Sequence, residues 1–309
     1  MKKYIAVDVG GTQIRVAVYP ENSTEPLIQK RIKTQGDGKT PLERLISLLK
    51  EVWPEDGEVN SIAIAAPGYL EPEAGIVVTA PNIPGWTNLP LSKHLRDNFH
   101  VPVYLGNDAN LAALGEWRFG AGKGHRNLLY LTISTGIGGG IILENQLING
   151  ANGLAGELGH VIAIPDGPMC SCGKRGHIEA VASGTAISRY VCEKIDEGTV
   201  SQFPAGSKPS AKEIAIAAAN GDKLSIEAYE IAGFYLGRTI ADFLHTLNPS
   251  ILILGGGVSL SGDLIMKPLL ASLEKHVISP EYIKKLKIVP TALGDDAGLL
   301  GALALSQDR

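Results

Sequence analysis

Residues 156–180 read GELGHVIAIPDGPMCSCGKRGHIEA and hold two of the chain's three cysteines, Cys170 and Cys172, one residue apart. His160 and His177 flank the pair, and Glu157 and Glu179 stand beside the histidines. Imidazole and thiolate are the ligands zinc prefers, whereas adjacent thiols also make disulfides or redox-active pairs. The basic turn at Lys174 and Arg175 is equally what a solvated loop contains. Three cysteines cannot pair evenly and nothing in the sequence points to export, which weighs against a disulfide. A metal clamp and a reactive thiol remain open on the residues alone. Cys192, in the helix-like run AISRYVCEKI, is expected to pack in a core.

A second group of residues has the chemistry to meet an anion. Gly10, Gly11 and Thr12 follow an apolar run. Glycines let backbone N–H groups approach a phosphate closely, and the Thr12 hydroxyl adds a donor. The same residues also suit a tight hairpin turn. Asp8 tilts the balance, because a carboxylate at the end of an apolar strand is costly unless a cation or donor meets it, and one beside a phosphate cradle suits hydrated Mg²⁺. Thr135-Gly136 with Gly138 to Gly140, and Gly255-Gly256-Gly257, offer two further cradles after apolar strands. None carries the Lys-Ser/Thr of the phosphate loop or leads directly into a helix as dinucleotide turns do. Three such turns favour a nucleotide between two lobes.

A third candidate is Asp108 in YLGNDANLAALGEW, at the junction of a strand and a helix. Asn107 or Asp108 there can cap the helix by accepting a first-turn N–H. A carboxylate at the carboxyl end of a strand is also placed to take a proton from an attacking hydroxyl, as kinases require.

These groups need elements to hold them. Tyr4 to Pro20 reads as two β-branched runs meeting at Gly10-Gly11, a hairpin, and Asn127 to Gly150 repeats the form, which predicts a duplicated unit. Strands are predicted in SIAIAAPGY, GIVVTAP, PVYLGND, SILILGGGVS and LKIVPTA. Leu42, Leu45, Ile46, Leu49 and Trp53 recur at helical spacing. Helices are also predicted in DANLAALGEWRFG, in LSIEAYEIAGFYLGRTIADFLHTLN up to Pro249, and in AGLLGALAL, with a polar loop at Gly198–Ser210. Alternating strands and helices argue an α/β fold with two similar lobes and a cleft between them.

Composition narrows the class. The chain has 309 residues, 44% hydrophobic and 19% charged, with a net charge of −4, the profile of one large or two moderate globular domains with no basic surface for nucleic acid or membrane. No apolar stretch approaches the ~20 residues that span a bilayer. Asp8 interrupts the apolar start, so no signal peptide is read there, and a cytoplasmic protein is expected.

DVGGT at 8–12, GNDAN at 106–110, GELGH at 156–160 and CSCGKRGHIEA at 170–180, in this order and spacing, resemble the ROK family of sugar kinases and sugar-responsive repressors over essentially the whole chain. The first element is shared by many actin-, chaperone- and sugar-kinase-type proteins; the ExGH and CxCGxxG pair is far more specific. The family's repressors carry a DNA-binding helix-turn-helix before DxGGT. Only seven residues precede Asp8 here, so the kinase branch is expected. The resemblance implies a two-lobed actin/hexokinase-type (ribonuclease H-like) fold, with residues 1–107 plus 297–309 as the small domain and 108–296 as the larger one bearing the zinc loop. It implies ATP- and Mg²⁺-dependent phosphorylation of a hexose at its 6-hydroxyl, glucose first, with Asp108 as general base. Fructose, mannose and N-acetylhexosamines are alternative acceptors, polyphosphate an alternative donor, and a non-catalytic sugar sensor a different class of protein. Asn107, Glu157, His160 and Glu179 match sugar-binding positions, with Gly68 and Asn82 lining the same pocket. Asp8, Gly10, Gly11 and Thr12 match the phosphate and Mg²⁺ side, and Thr135, Gly136, Gly256 and Gly257 the other nucleotide contacts. The family's structural zinc site uses the ExGH histidine and three cysteines. Here the matching set is His160, Cys170, Cys172 and His177, with His177 standing where the family has its third Cys. A homodimer or homotetramer is the assembly expected of such a kinase.

Overall fold

The computed structural model describes residues 2–55 and 58–309. In chain order the first half builds β1 (Lys3–Val9), β2 (Gln13–Pro20), β3 (Ile28–Lys33), α1 (Pro41–Val52), β4 (Val59–Ala66), β5 (Tyr69–Glu71), β6 (Ile76–Thr79), β7 (Thr87–Leu89), α2 (Leu91–Phe99), β8 (Val103–Asn107) and α3 (Asp108–Phe119). The second half builds β9 (Leu128–Ile133), β10 (Ile137–Leu143), β11 (Gln146–Leu147), α4 (Glu179–Ala182), α5 (Gly184–Asp196), α6 (Ala211–Ala219), α7 (Lys223–Leu247), β12 (Ile251–Gly255), α8 (Asp263–His276), α9 (Glu281–Lys284), β13 (Lys287–Pro290) and α10 (Ala297–Gln307).

Two five-stranded sheets run in the orders β3-β2-β1-β4-β8 and β11-β10-β9-β12-β13. Both use their own strands in the order three, two, one, four, five, so the repeated hairpin in the sequence is the start of a repeated sheet. In the first, β1 pairs antiparallel with β2 and parallel with β4, and β4 pairs parallel with β8. In the second, β9 and β13 both pair parallel with β12. This is the ribonuclease H-like sheet of the actin/hexokinase-type fold, present twice. By internal packing the chain divides into two compact units. One comprises Met1–His125, Gly140–Gly156 and Ala292–Arg309, the other Arg126–Gly139 and Glu157–Thr291. Among the described residues, no helix is long and apolar enough to cross a membrane.

Strand alternation sorts the first sheet into two faces of different bulk. Ile5, Val7, Val9, Ile14, Val16, Ile62 and Ile64 pack with Leu45, Leu48 and Leu49 of α1 and Leu91 and Leu95 of α2. The opposite face presents Ala6, Ala17, Ala63 and Ala65 between Tyr4 and Tyr19, against Leu111 and Leu114 of α3 and Leu299, Leu300 and Leu303 of α10. Alanines there let the two helices lie close to the sheet, and glycines let them lie close to each other. A Cβ on Gly301 would sit 1.7 Å from the Leu111 carbonyl oxygen, and one on Gly115 would sit 2.6 Å from that of Ala297. The crossing sets the head of α10 beside the end of β1. Helix α7 ends on Asn248 in the left-handed region (φ 42°), directly before Pro249.

Candidate active site

In the first unit the chemistry gathers where β1 and β8 end. The Gly10 N–H donates to the Gln13 carbonyl at 2.8 Å, closing the hairpin turn. Thr34, fully buried, braces the turn from beyond β3: its N–H donates to the Thr12 carbonyl at 2.9 Å and its hydroxyl to the Gly10 carbonyl at 2.6 Å. The Gly11 backbone lies against Asn82, whose Cβ would be 3.1 Å from a side chain at Gly11. Gly68 has φ +92° and a Cβ there would sit 2.1 Å from the Thr79 carbonyl, so both backbone and space demand glycine. The donor that Asp8 requires is Arg15, its cross-strand partner in the hairpin register. Both Nη2 and Nε of Arg15 donate to Asp8 Oδ2, at 2.5 and 3.1 Å.

At the head of α3 the two candidate caps divide the work. Asn107 is the N-cap, its Oδ1 accepting from the N–H groups of Ala109 and Asn110 at 3.0 and 3.2 Å. Asp108 is the first helical residue, and its Oδ1 lies 2.8 Å from the Ala109 nitrogen as acceptor. The capping role open to Asp108 in the sequence therefore belongs to its neighbour. Asn110, two residues on, is buried and donates from Nδ2 to the Ala155 carbonyl at 3.2 Å, tying α3 to the segment that leads into Glu157.

In the second unit the opening stretch folds into a tied loop. Isolated bridges join Ile162 to His177 and Met169 to Arg175. Gly176 has φ +80°, and a Cβ there would lie 1.8 Å from the Ile164 carbonyl. Leu158–His160 forms a single 3-10 turn held against β10, where a Cβ on Gly159 would meet the Ile137 carbonyl at 2.0 Å. These constraints bring one ligand atom each from His160, Cys170, Cys172 and His177 within 4.8 Å of one another. The Nδ1 atoms of the histidines are 3.3 Å apart, Cys170 Sγ is 3.7 Å from His160 Nδ1, and Cys172 Sγ is 3.3 Å from His177 Nδ1. A tetrahedral zinc with Zn–N near ~2.0 Å and Zn–S near ~2.3 Å spaces its ligand atoms by roughly 3.3–3.8 Å, so the donor set fits that ion. Burial pushes the Cys170 thiol above its ordinary value, the opposite of what a reactive thiolate needs. Burial, then the nearby His160, holds the His177 imidazole below its ordinary value, which favours the neutral, ligating form. With Nδ1 turned to the cluster, His160 Nε2 faces Glu157 Oε2 at 3.8 Å. Desolvation raises the Glu157 carboxyl, with His160 pulling it back.

Glu179, the first residue of α4, links the loop to the second glycine turn. Its Oε2 accepts the Ile137 N–H at 3.0 Å, and its Oε1 accepts from the Ser171 hydroxyl at 2.9 Å and the Cys170 thiol at 3.4 Å. A Cβ at 136 would be 2.4 Å from Glu179 Oε2, so a side chain there would have to displace that carboxylate. Thr135 accepts from the Thr185 N–H at 3.4 Å, at the start of α5. Gly256 has φ +83° and a Cβ would strike the Ile133 carbonyl at 2.4 Å, whereas one on Gly257 would meet nothing within 4 Å. Cys192 departs from expectation: it is only partly buried in α5, its thiol 3.4 Å from the Ser207 carbonyl, because α5 turns that position toward the Gly198–Ser210 loop and not into the core. Arg15, Thr34 and Ser171 are absent from the sequence-derived site. Of these only Arg15 leaves a signal, a cation in the middle of an apolar strand.

A duplicated ribonuclease H-like sheet with a two-His, two-Cys loop between strand and helix defines an actin/hexokinase-type α/β protein of sugar-kinase architecture. Residues 4–309 match the ROK family model, and the chain belongs to the ROK family. It is 38% identical to the glucokinase of Thermotoga maritima over 314 residues, covering 99% of this chain and 98% of that one. Among solved structures, the ROK hexokinase from Thermus thermophilus is 32% identical with a TM-score of 0.84 over 98% of this chain and 97% of that one. The ROK family glucokinase from Streptomyces griseus, in complex with glucose and AMPPNP, is 33% identical with a TM-score of 0.81 over 99% of this chain and 100% of that one.

Proposed function

We propose that this chain transfers the γ-phosphoryl group of ATP to the 6-hydroxyl of a hexose, with glucose as the preferred acceptor. Asp108 takes the hydroxyl proton as the bond from the sugar oxygen to phosphorus forms and the bond to the β,γ-bridging oxygen breaks, releasing ADP. Asn107, Glu157, His160 and Glu179 bind the sugar hydroxyls, with Gly68 and Asn82 lining the pocket. Because the Asn107 oxygen caps α3, it is the amide nitrogen that remains to donate to the sugar. Asp8, Gly10, Gly11 and Thr12 face the phosphates, and Thr135, Gly136, Gly256 and Gly257 contact the rest of the nucleotide. Asp8 would hold the Mg²⁺, which when bound neutralises phosphate charge.

His160, Cys170, Cys172 and His177 would hold a structural Zn²⁺ that pins the loop, so that Glu157, His160 and Glu179 share one orientation. The Nδ1 orientation of both histidines supports this set and leaves His160 Nε2 for a sugar hydroxyl. Thiolate ligation suits a reducing compartment, consistent with a cytoplasmic enzyme. Residues 1–107 with 297–309 are the small lobe of the proposal and 108–296 the larger; α10 packing on the first sheet supports the return of 297–309, whereas α3 packs on that same sheet and groups by internal packing with the first unit. A homodimer or homotetramer would cover apolar side chains exposed on the second unit such as Ile162 and Ile278, and light scattering tests it.

The observation that carries the reading is the placement of Asp108 as the first residue of α3, at the carboxyl end of β8 and beside the Asn107 cap. The experiment is ADP release with ATP, Mg²⁺ and a panel of glucose, fructose, mannose, N-acetylglucosamine and N-acetylmannosamine. Glucose should give the highest kcat/KM. Absence of sugar-dependent ADP release across the panel would overturn the proposal.

A further inference from the structure

Arg15 is not an incidental strand residue. Its guanidinium links the hairpin to a turn 281 positions further along the chain. On one side Nε and Nη2 both reach Asp8 Oδ2. On the other, Nη1 donates to Asp296 Oδ1 at 3.3 Å and Nη2 to the Asp295 carbonyl. Asp8 and Arg15 are both mostly enclosed, with side chains 20% and 18% exposed, so the pair is screened far less than a surface bridge.

The far end of this chain of contacts is itself fixed. Glu116 of α3 is fully buried; its Oε1 accepts the Leu293 N–H at 2.8 Å and its Oε2 the Ala121 N–H at 2.9 Å. That holds the Leu293–Asp296 turn in place just before α10. Gly298, in the first turn of α10, comes so near Asp8 that a Cβ there would lie 3.1 Å from both Cγ and Oδ1. Asp8 is thus constrained from the hairpin by Arg15 and from the C-terminal helix by Gly298, while its Oδ1 accepts no hydrogen bond from the described residues.

We infer that Arg15 is a positioning residue for the nucleotide's divalent cation: braced by Asp295 and Asp296, it holds Asp8 Oδ2 so that Oδ1 is presented to the metal. This rests on the kinase reading above. A guanidinium beside a metal carboxylate would ordinarily repel the cation. Here Asp296 offsets that charge, and two carboxylates with one guanidinium leave the cluster net negative. The planar fork matters as well, because an ammonium cannot present Nε and Nη2 to one oxygen while a third N–H reaches Asp296.

The test measures binding, not turnover. Calorimetric titration of AMPPNP into the full chain over a range of free Mg²⁺ gives the Mg²⁺ midpoint, and metal-free AMPPNP and glucose titrations are the controls. Arg15→Met should raise the midpoint about 10-fold, the loss expected for charge-assisted bonds, with both controls within about 2-fold of wild type. Arg15→Lys should recover only part of the shift. Asp296→Asn, a half-exposed site away from the hairpin core, should move the midpoint the same way by about 3-fold and keeps the test open if Arg15→Met does not fold. A midpoint unchanged or lowered in Arg15→Met, or unchanged in Asp296→Asn, overturns the inference while leaving the kinase reading intact. Wild type that binds AMPPNP without any Mg²⁺ dependence, or not at all, would overturn both.

Discussion

The two glycine turns occupy the same place in two copies of one sheet, yet they obtain their polar partners in different ways. At the first, between β1 and β2, the carboxylate is local: Asp8 sits two residues before the turn and Arg15 opposes it across the hairpin. At the second, between β9 and β10, the turn has no charged residue of its own. The carboxylate over it is Glu179, delivered from 42 positions away and held through Ser171 and Cys170 of the metal-type loop. A strand register needs no cofactor to align a pair, whereas a Gly- and Pro-rich loop has little apolar surface to order itself and gains most from a cross-link. The first turn should therefore keep its geometry without zinc, and the second should not.

The largest effect tests the first unit. Asp108→Ala should lower kcat by ~10²-fold or more, the range for losing a general base, while glucose affinity by calorimetry changes much less. Retention of most turnover would reduce Asp108 to a helix residue beside the Asn107 cap. Breaking the second turn is next. Cys170→Ser should lose most of its zinc by elemental analysis and weaken glucose binding by roughly 10-fold, as Glu179 and His160 lose their frame. Metal-free AMPPNP affinity should fall clearly less than glucose affinity in that variant, since among its proposed contacts only Thr135 and Gly136 lie on the second turn, and an equal loss of both ligands would erase the contrast between the turns.

Two glycines of the same loop sharpen the point. Gly173 and Gly176 both have positive φ, +84° and +80°, but a Cβ on Gly173 meets nothing within 4 Å while one on Gly176 meets a carbonyl at 1.8 Å. Gly173→Ala should cost about 1 kcal/mol of backbone strain and leave zinc content unchanged. Gly176→Ala should displace the loop and lower both zinc content and thermal stability; equal behaviour of the two variants would contradict the geometry. The smallest change is expected from His177→Cys. Cys172 and His177 already stand at ligand distance, so a thiolate should serve there, with zinc content preserved and glucose affinity within about 2-fold.

Much of this was legible from the chain. Hairpins at Asp8–Arg15 and Ile133–Ile137, the long α7 and the Ala- and Gly-rich α10 announce themselves through alternation, helical spacing and Gly or Pro punctuation. Other elements left weaker marks. β3, reading IQKRIK, is a mostly exposed edge strand whose polar face hides its pairing with β2, and α8 carries Pro268 inside its span. Cys192 looked like core packing because a helical pattern states which residues share a face, not which face meets solvent.

By itself the sequence determined which chemistry was available: two imidazoles and two thiols within eighteen positions, carboxylates at 8, 108, 157 and 179, and glycines where apolar runs end. Those are properties of residue type and short spacing, and they survive without a fold. Tertiary structure alone decided the assignments within each group. It made Asn107 and not Asp108 the cap, turned both histidines to the cluster through Nδ1, and laid Glu179 over Gly136. It also carried Asp295, Asp296 and Gly298 to Asp8, because the Gly115–Gly301 crossing lets α10 lie against α3 and the alanine face of the first sheet. Contacts between residues nearly three hundred positions apart depend on how closely two helices can approach, and that distance is fixed by packing against the sheet, which no local pattern encodes.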